Sequence, residues 1–181
     1  RSKTSAAYQH MIHKYLRAVG AVDDNIKRVI DYLEKERIKD DTLIIYTSDQ
    51  GYWLGQHGLY DKRLILEGSL KMPLIVRYPK EIKAGSVNEA LCSNVDFAPT
   101  LLNMAGVTVP KAMQGFSLRP LLRGGKPANW REGIWYAYWA TGHYHWGVRT
   151  QEHKLIRFAG TSDYEFYDLK KDPFEMNNLA G

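Results

Sequence analysis

The run Thr42-Leu43-Ile44-Ile45-Tyr46-Thr47 constrains the fold most. It is β-branched and apolar, with no alternation between an inward and an outward face. Such a run suits a strand buried on both faces, as in a parallel or mixed sheet, and so predicts helices packed over that sheet. Ahead of it, residues 6–37 carry apolar side chains at Tyr8, Ile12, Tyr15, Val19, Val22, Ile26, Val29 and Leu33. The spacing alternates between four and three and predicts one long amphipathic helix that packs on a sheet. Helix followed by buried strand is half of an α/β repeat. Pro73-Leu74-Ile75-Val76-Arg77-Tyr78 predicts a second strand of the same kind. Asp96 is placed to cap a helix that carries Pro99 in its first turn, runs through Met104 and ends at Gly106.

The pattern changes after a loose stretch holding Pro110, Gly115, Pro120, Gly124, Gly125 and Pro127. A boundary near residue 125 separates residues 1–125 from residues 126–181. Beyond it, short strands are predicted at 134–138, 146–149, 154–157 and 164–167, separated by Gly, Asp and Ser turns. The fold class expected is therefore α/β, a mixed-sheet domain followed by a small antiparallel-sheet subdomain.

Several function classes drop out. A lone cysteine, Cys92, excludes a disulfide framework and any multi-thiolate zinc site. No apolar run approaches the roughly 20 residues a membrane helix needs. The net charge of +5 is mild, and acids interrupt the densest basic run, Lys35 to Lys39, so nucleic acid is not an expected partner. The chain opens on Arg1-Ser2-Lys3-Thr4 with no initiator methionine and no signal-peptide pattern, so a fragment of a longer protein is expected.

The chemistry concentrates after the first strand. In open α/β sheets, ligands gather beyond the carboxyl ends of strands. There the chain runs into Ser48-Asp49-Gln50-Gly51-Tyr52-Trp53-Leu54-Gly55-Gln56-His57-Gly58-Leu59-Tyr60-Asp61-Lys62-Arg63. Asp49 could be a metal ligand, a helix cap or a turn former. Asp49 and Gln50 together offer oxygen donors, which suit calcium or magnesium better than zinc. His57, Lys62 and Arg63 could neutralise an oxyanion, lysine as a point charge and arginine as a fork.

The succession Thr47-Ser48-Asp49-Gln50-Gly51, Leu54-Gly55-Gln56-His57-Gly58, Lys62 and Pro73 to Val76 resembles the type I, formylglycine-dependent sulfatases of the alkaline phosphatase superfamily. The resemblance continues through Val95 to Leu102, Met113 to Leu118, Tyr167-Asp168-Leu169, Asp172-Pro173, Glu175 and Asn178-Leu179. It is most like the sulfatases of glucosamine-type sugars. It implies an alkaline-phosphatase-like fold and a parent enzyme that removes sulfate from a sulfated carbohydrate such as a glycosaminoglycan.

The resemblance implies roles by position. Asp49 and Gln50 are ligands of an active-site calcium. Lys62 contacts the sulfate and stabilises the leaving oxygen. Asp61 and Arg63 contact sugar hydroxyls. His57 either lines the pocket or is tied to backbone. In His145-Trp146-Gly147-Val148-Arg149-Thr150, His145 would reach over the pocket toward substrate. His143 and Arg149 read as a solvated hairpin face. The aromatic residues from Trp130 to Trp146 read either as sheet core or as a sugar-stacking surface.

The family's Cys/Ser-X-Pro-X-Arg string, whose first residue becomes formylglycine, does not occur: Cys92 is followed by Ser93-Asn94-Val95-Asp96. The expectation is that formylglycine and the rest of the calcium site belong to a missing amino-terminal part. This chain alone would then be inactive, with that part, or another copy of itself, as its partner. The family implies a periplasmic or secreted protein, lysosomal in a eukaryote. The alternatives are a phosphodiesterase or phosphonate hydrolase of the same superfamily, and a non-catalytic sugar-binding module.

Overall fold

The computed structural model describes residues 2–140, 142 and 144–181, without the side chains of residues 2–4. His143 lies outside the described residues. The chain divides into two compact units, residues 1–44 with 78–80, and residues 45–77 with 81–181.

The first unit is built on α1, Ser2–Lys35, a 34-residue helix close to the predicted span. Lys27 and Asp31 pair one turn apart at 2.5 Å, and Lys39 pairs with Glu34. The expected packing of its apolar stripe on a sheet is not found. Val19, Val22 and Val29 are 48%, 50% and 57% exposed. The stripe is real, but residues 36–44 and 78–80 are too few to cover it.

In the second unit, β1 (Ile44–Thr47) pairs with β4 (Leu74–Arg77) as a two-stranded sheet. Burial on both faces, expected from the apolar runs, is not observed: Tyr46 is 40% and Ile75 62% exposed. No further strand among the described residues joins this pair, so its two outer edges carry no strand neighbour there. Between them, β2 (Trp53–Leu54) and β3 (Tyr60–Asp61) form a small antiparallel ribbon, with Trp53 opposite Asp61. A short helix α2, Glu67–Leu70, precedes β4.

Helix α3, Phe97–Met104, carries Pro99 in its first turn, and Gly106 follows at φ +74°. The expected cap differs in detail. Asp96 makes no side-chain cap bond to α3. Instead it closes a capping box with Ser93 around the short turn Asn94–Asp96. Its fully buried carboxylate also accepts the Phe116 N–H at 2.8 Å and both Arg131 guanidinium nitrogens at 2.6 and 2.5 Å. A buried carboxylate is tolerated because each oxygen is answered by donors. A last short helix, α4, spans Arg119–Leu122. Arg119 and Arg123 bind Glu81 and hold its carboxyl down to about 2.

The remaining strands β5 (Gly133–Tyr138), β6 (His145–Thr150), β7 (His153–Phe158) and β8 (Tyr164–Asp168) form an antiparallel meander in that order. The predicted strands fall within these spans. The inner face of the sheet packs Ile156 and Tyr167 against Trp53, Ile65 and Leu66. Burying each large apolar side chain stabilises the fold by about 1.5–3 kcal/mol. Gly147 permits this approach: a Cβ there would sit 2.3 Å from the Leu155 carbonyl oxygen and 2.9 Å from Ile65. Alternation thus places β5–β8 over the segment that follows β1.

Candidate functional site

The segment from Ser48 to Arg63 leaves β1 at its carboxyl end and is folded back by the β2–β3 ribbon. That fold brings Lys62 to Asp49 and Gln50. The Lys62 ammonium lies 3.5 Å from the Asp49 carboxylate. With the Gln50 amide oriented so that both of its ends are satisfied, it meets the same residue twice: its nitrogen donates to the Lys62 carbonyl at 2.9 Å, and its oxygen accepts from the ammonium at 3.2 Å. Asp49 Oδ1 also accepts the N–H of Gln50 at 2.9 Å. That N–H first, and the Lys62 charge second, hold the Asp49 carboxyl below the usual carboxylate range.

Next to this trio, Asp61 and Arg63 pair at 3.0 Å. Asp61 adopts a left-handed backbone with φ +88°. A non-glycine residue held there is strained, a condition that clusters at functional sites. The side chains of Asp49, Lys62, Arg63 and Asp61 are 78%, 42%, 55% and 38% exposed. Exposed ion pairs of this kind add little stability. Five polar groups placed together at so little gain in stability are available to a ligand.

The loop is held from beneath. Gly51 donates its N–H to the Ser69 carbonyl at 2.8 Å. The indole N–H of Trp53 donates to Ser69 Oγ at 2.7 Å. A Cβ at Gly51 would stand 1.9 Å from the Gly68 carbonyl oxygen, and one at Gly68 would stand 2.3 Å from the Trp53 ring. The close approach of loop and α2 therefore requires both glycines.

Asp49 and Gln50 also line an open cleft of about 920 Å³, bordered by Glu67, Lys71, Arg131 and Arg149. The two predicted histidines lie elsewhere. His57 and His145 both face a small inner cavity of about 140 Å³. His57 donates from Nε2 to the Phe174 carbonyl at 2.7 Å and sits edge-on to Trp53. Of its two readings, the backbone-tied loop histidine is the one observed. His145 is fully buried, with ring centroids of Tyr138 at 5.3 Å and Phe158 at 5.6 Å. Its inward position in β6 packs it into the sheet interior. The aromatic residues divide: Trp139 stacks on Trp146 at 6.1 Å while remaining 66% exposed, and Trp130 donates to the Leu91 carbonyl at 2.8 Å.

Arg149 is not a solvated hairpin residue. Its guanidinium reaches both Glu67 oxygens, at 3.3 and 3.1 Å. The same carboxylate takes the Lys154 ammonium at 2.8 Å, and Lys154 pairs with Glu175 at 2.6 Å. Lys154 has no exposed surface. Burial pushes the Glu67 carboxyl up, but Arg149 and Lys154 outweigh it and leave it below its usual value. At Glu175 burial prevails over Lys154 and pushes the carboxyl up. This network was not singled out from sequence. A lysine at an inward position of a strand was the available signal, but nothing local names its acidic partners.

Asp49 and Gln50 fit one side of a hard-cation site: two oxygens already converge on a positive charge. Calcium takes about six to eight oxygens. No group of three or more His, Cys, Asp or Glu among the described residues could hold a metal ion. Two oxygen donors alone do not make such a site.

Two family models match the chain. One, described as N-sulphoglucosamine sulphohydrolase, C-terminal, covers residues 55–181, and one described as sulfatase covers residues 1–107. An N-acetylglucosamine-6-O-sulfatase of Bacteroides thetaiotaomicron is 51% identical over 96% of this chain and 33% of its own length. A solved structure, described as in complex with its substrate D-glucosamine-2-N,6-O-disulfate, superposes with a TM-score of 0.88 at 51% identity, over 90% of this chain and 35% of that one. The phosphonate monoester hydrolase of Agrobacterium radiobacter superposes with a TM-score of 0.79 at 31% identity, over 88% of this chain and 35% of that one. The chain spans about a third of the length of these relatives.

Proposed function

Because the chain belongs to the sulfatase family, we propose that it forms part of a hydrolase that removes sulfate from a sulfated glucosamine. The observation that carries the reading is the convergence of Asp49, Gln50 and Lys62 beyond the carboxyl end of β1. The finer assignment to glucosamine is supported by two relatives at 51% identity, whose descriptions name N-acetylglucosamine and a glucosamine disulfate.

Residues 1–125 would supply the site residues of the catalytic domain, and residues 126–181 a small antiparallel subdomain behind them. Asp49 and Gln50 would hold one side of a divalent cation, which we take to be calcium from the oxygen donors. In this family a metal ion neutralises the sulfate oxygens and a formylglycine supplies the nucleophile. Both need residues beyond these two ligands, so a further polypeptide segment completes the site.

Lys62 then places its charge where the ester oxygen becomes negative as the S–O bond breaks. A fixed cation there lowers the barrier because it favours the transition state over the ground state. Asp61 and Arg63, already paired, would accept and donate hydrogen bonds to sugar hydroxyls. His57, bonded to the Phe174 carbonyl, serves the shape of the loop and not proton transfer. The setting would be the periplasm, the cell exterior or the lysosome. Among the described residues no helix is long and apolar enough to cross a membrane.

The test compares glucosamine 6-sulfate and glucosamine N-sulfate, followed as sulfate release by ion chromatography, with a phosphonate monoester and a phosphodiester, followed as release of their alcohol. The expected result is hydrolysis of a glucosamine sulfate by the polypeptide that joins this chain to its completing segment, lost on chelation of the metal. The 181-residue chain alone should bind without turnover. Preferential cleavage of the phosphonate or the phosphodiester would replace this reading with its superfamily alternative.

A further inference from the structure

We propose that the tail dipeptide Phe174-Glu175 positions the loop that carries Asp49, Gln50 and Lys62, through a buried Glu175–Lys154–Glu67 relay and a carbonyl bond to His57. The functional half of this inference rests on the sulfate-site reading above, and the geometric half does not.

Glu175 commits both of its carboxylate oxygens. Oε1 takes the Lys154 ammonium at 2.6 Å, and Oε2 accepts the backbone N–H of Glu67 at 2.6 Å, where α2 begins. The residue is 3% exposed and holds a left-handed backbone with φ +56°. A strained conformation of this kind persists only when its surroundings over-determine it. Glu67 closes the relay by taking Lys154 at 2.8 Å. With Arg149 on the far side of Glu67, two acids meet two bases, so the buried set is neutral.

Helix α2 passes this restraint to the loop. Its Ser69 carbonyl accepts the Gly51 N–H, and its Gly68 carbonyl leaves no room for a Cβ on Gly51. A shift of α2 must therefore move Gly51, and with it Gln50 and Asp49. The second hold lies one residue earlier in the tail. The Phe174 carbonyl receives the His57 ring at 2.7 Å, between the two halves of the loop. The Phe174 side chain itself is 76% exposed, so its backbone makes the contact that matters. One dipeptide thus fixes the loop at Gly51, through α2, and at His57 directly. Lys154 touches neither solvent nor the cleft, so it is a positioning residue and not a catalytic one.

Amide hydrogen exchange on the 181-residue protein tests the coupling without any assumption about activity. Glu175→Ala should speed exchange at Gly51 by about tenfold or more, while Ile156 in the centre of β7 keeps its protection. Glu175→Gln, which retains an oxygen for the Glu67 N–H, should fall between the two. In the completed enzyme, Glu175→Ala should lower kcat for glucosamine sulfate by about 10²-fold with little change in KM, because the binding groups remain but are misplaced. Unchanged exchange at Gly51, or equal acceleration at Gly51 and Ile156, would overturn the proposal. If the unmodified enzyme cleaves no sulfate ester, the sulfatase reading falls while the exchange result still decides the relay.

Discussion

Lys62→Ala lowers kcat for sulfate ester hydrolysis by about 10²–10³-fold in the completed enzyme and changes KM far less. The size follows from where the charge acts. A cation aimed at the leaving oxygen interacts weakly with the nearly uncharged bridging oxygen of the bound ester and strongly with the partial alkoxide of the transition state. The structure shows that charge already aimed by two oxygens, Asp49 at 3.5 Å and the Gln50 amide at 3.2 Å. Lys62→Arg does not restore the rate, because a planar fork cannot take the place of a compact ammonium between those two acceptors. Metal affinity stays near its original value, since Asp49 keeps the N–H of Gln50 that holds its carboxyl ionised. Sulfate release at saturating substrate and a metal titration of the same variant measure the two quantities separately. A kcat within threefold of the parent would remove Lys62 from the chemistry.

Lys154→Ala destabilises the 181-residue protein by about 3–5 kcal/mol, read from urea unfolding at neutral pH. The ammonium is fully buried and is shared by Glu67 at 2.8 Å and Glu175 at 2.6 Å. Without it two carboxylates face each other and Arg149 alone answers them. Desolvation and like-charge repulsion then raise the folded-state value of one carboxyl above its unfolded value. The sign follows: protonation favours the folded state, so the loss is greatest near neutrality and shrinks as the pH falls toward about 4. The double variant Lys154→Met with Glu175→Gln recovers part of the loss, because it removes one of the stranded charges. A pH-independent loss would place the effect in packing instead.

The legible parts of the fold are those written in local periods. The four and three spacing gave α1 to within a few residues of Ser2–Lys35. Short strand-forming runs separated by Gly, Asp and Ser turns placed β5 to β8 within their observed spans. The Asp49, Gln50 and Lys62 group was legible because all three lie in one loop, which the pairing of Trp53 with Asp61 folds back on itself. What local pattern cannot carry is the identity of distant partners. The α1 stripe and the apolar β1 run announce surfaces that need cover without saying what covers it. Arg149 read as solvated because its partner, Glu67, sits in another element far along the chain. Asp96 read as a simple helix cap for the same reason, since Arg131, which meets both of its oxygens, lies 35 residues further along the chain. The burial of His145 follows from its inward register in β6, where it lines the inner cavity with His57.

The most direct test is a crystal structure of the completed enzyme with glucosamine 6-sulfate bound, read at one distance. The expected result is the Lys62 ammonium at about 2.7–3.2 Å from the bridging ester oxygen, with Asp49 and Gln50 each also placing an oxygen on a metal ion. A sulfate group seated elsewhere in the cleft, on Arg131 or Arg149, with Lys62 still paired to Asp49, would contradict it.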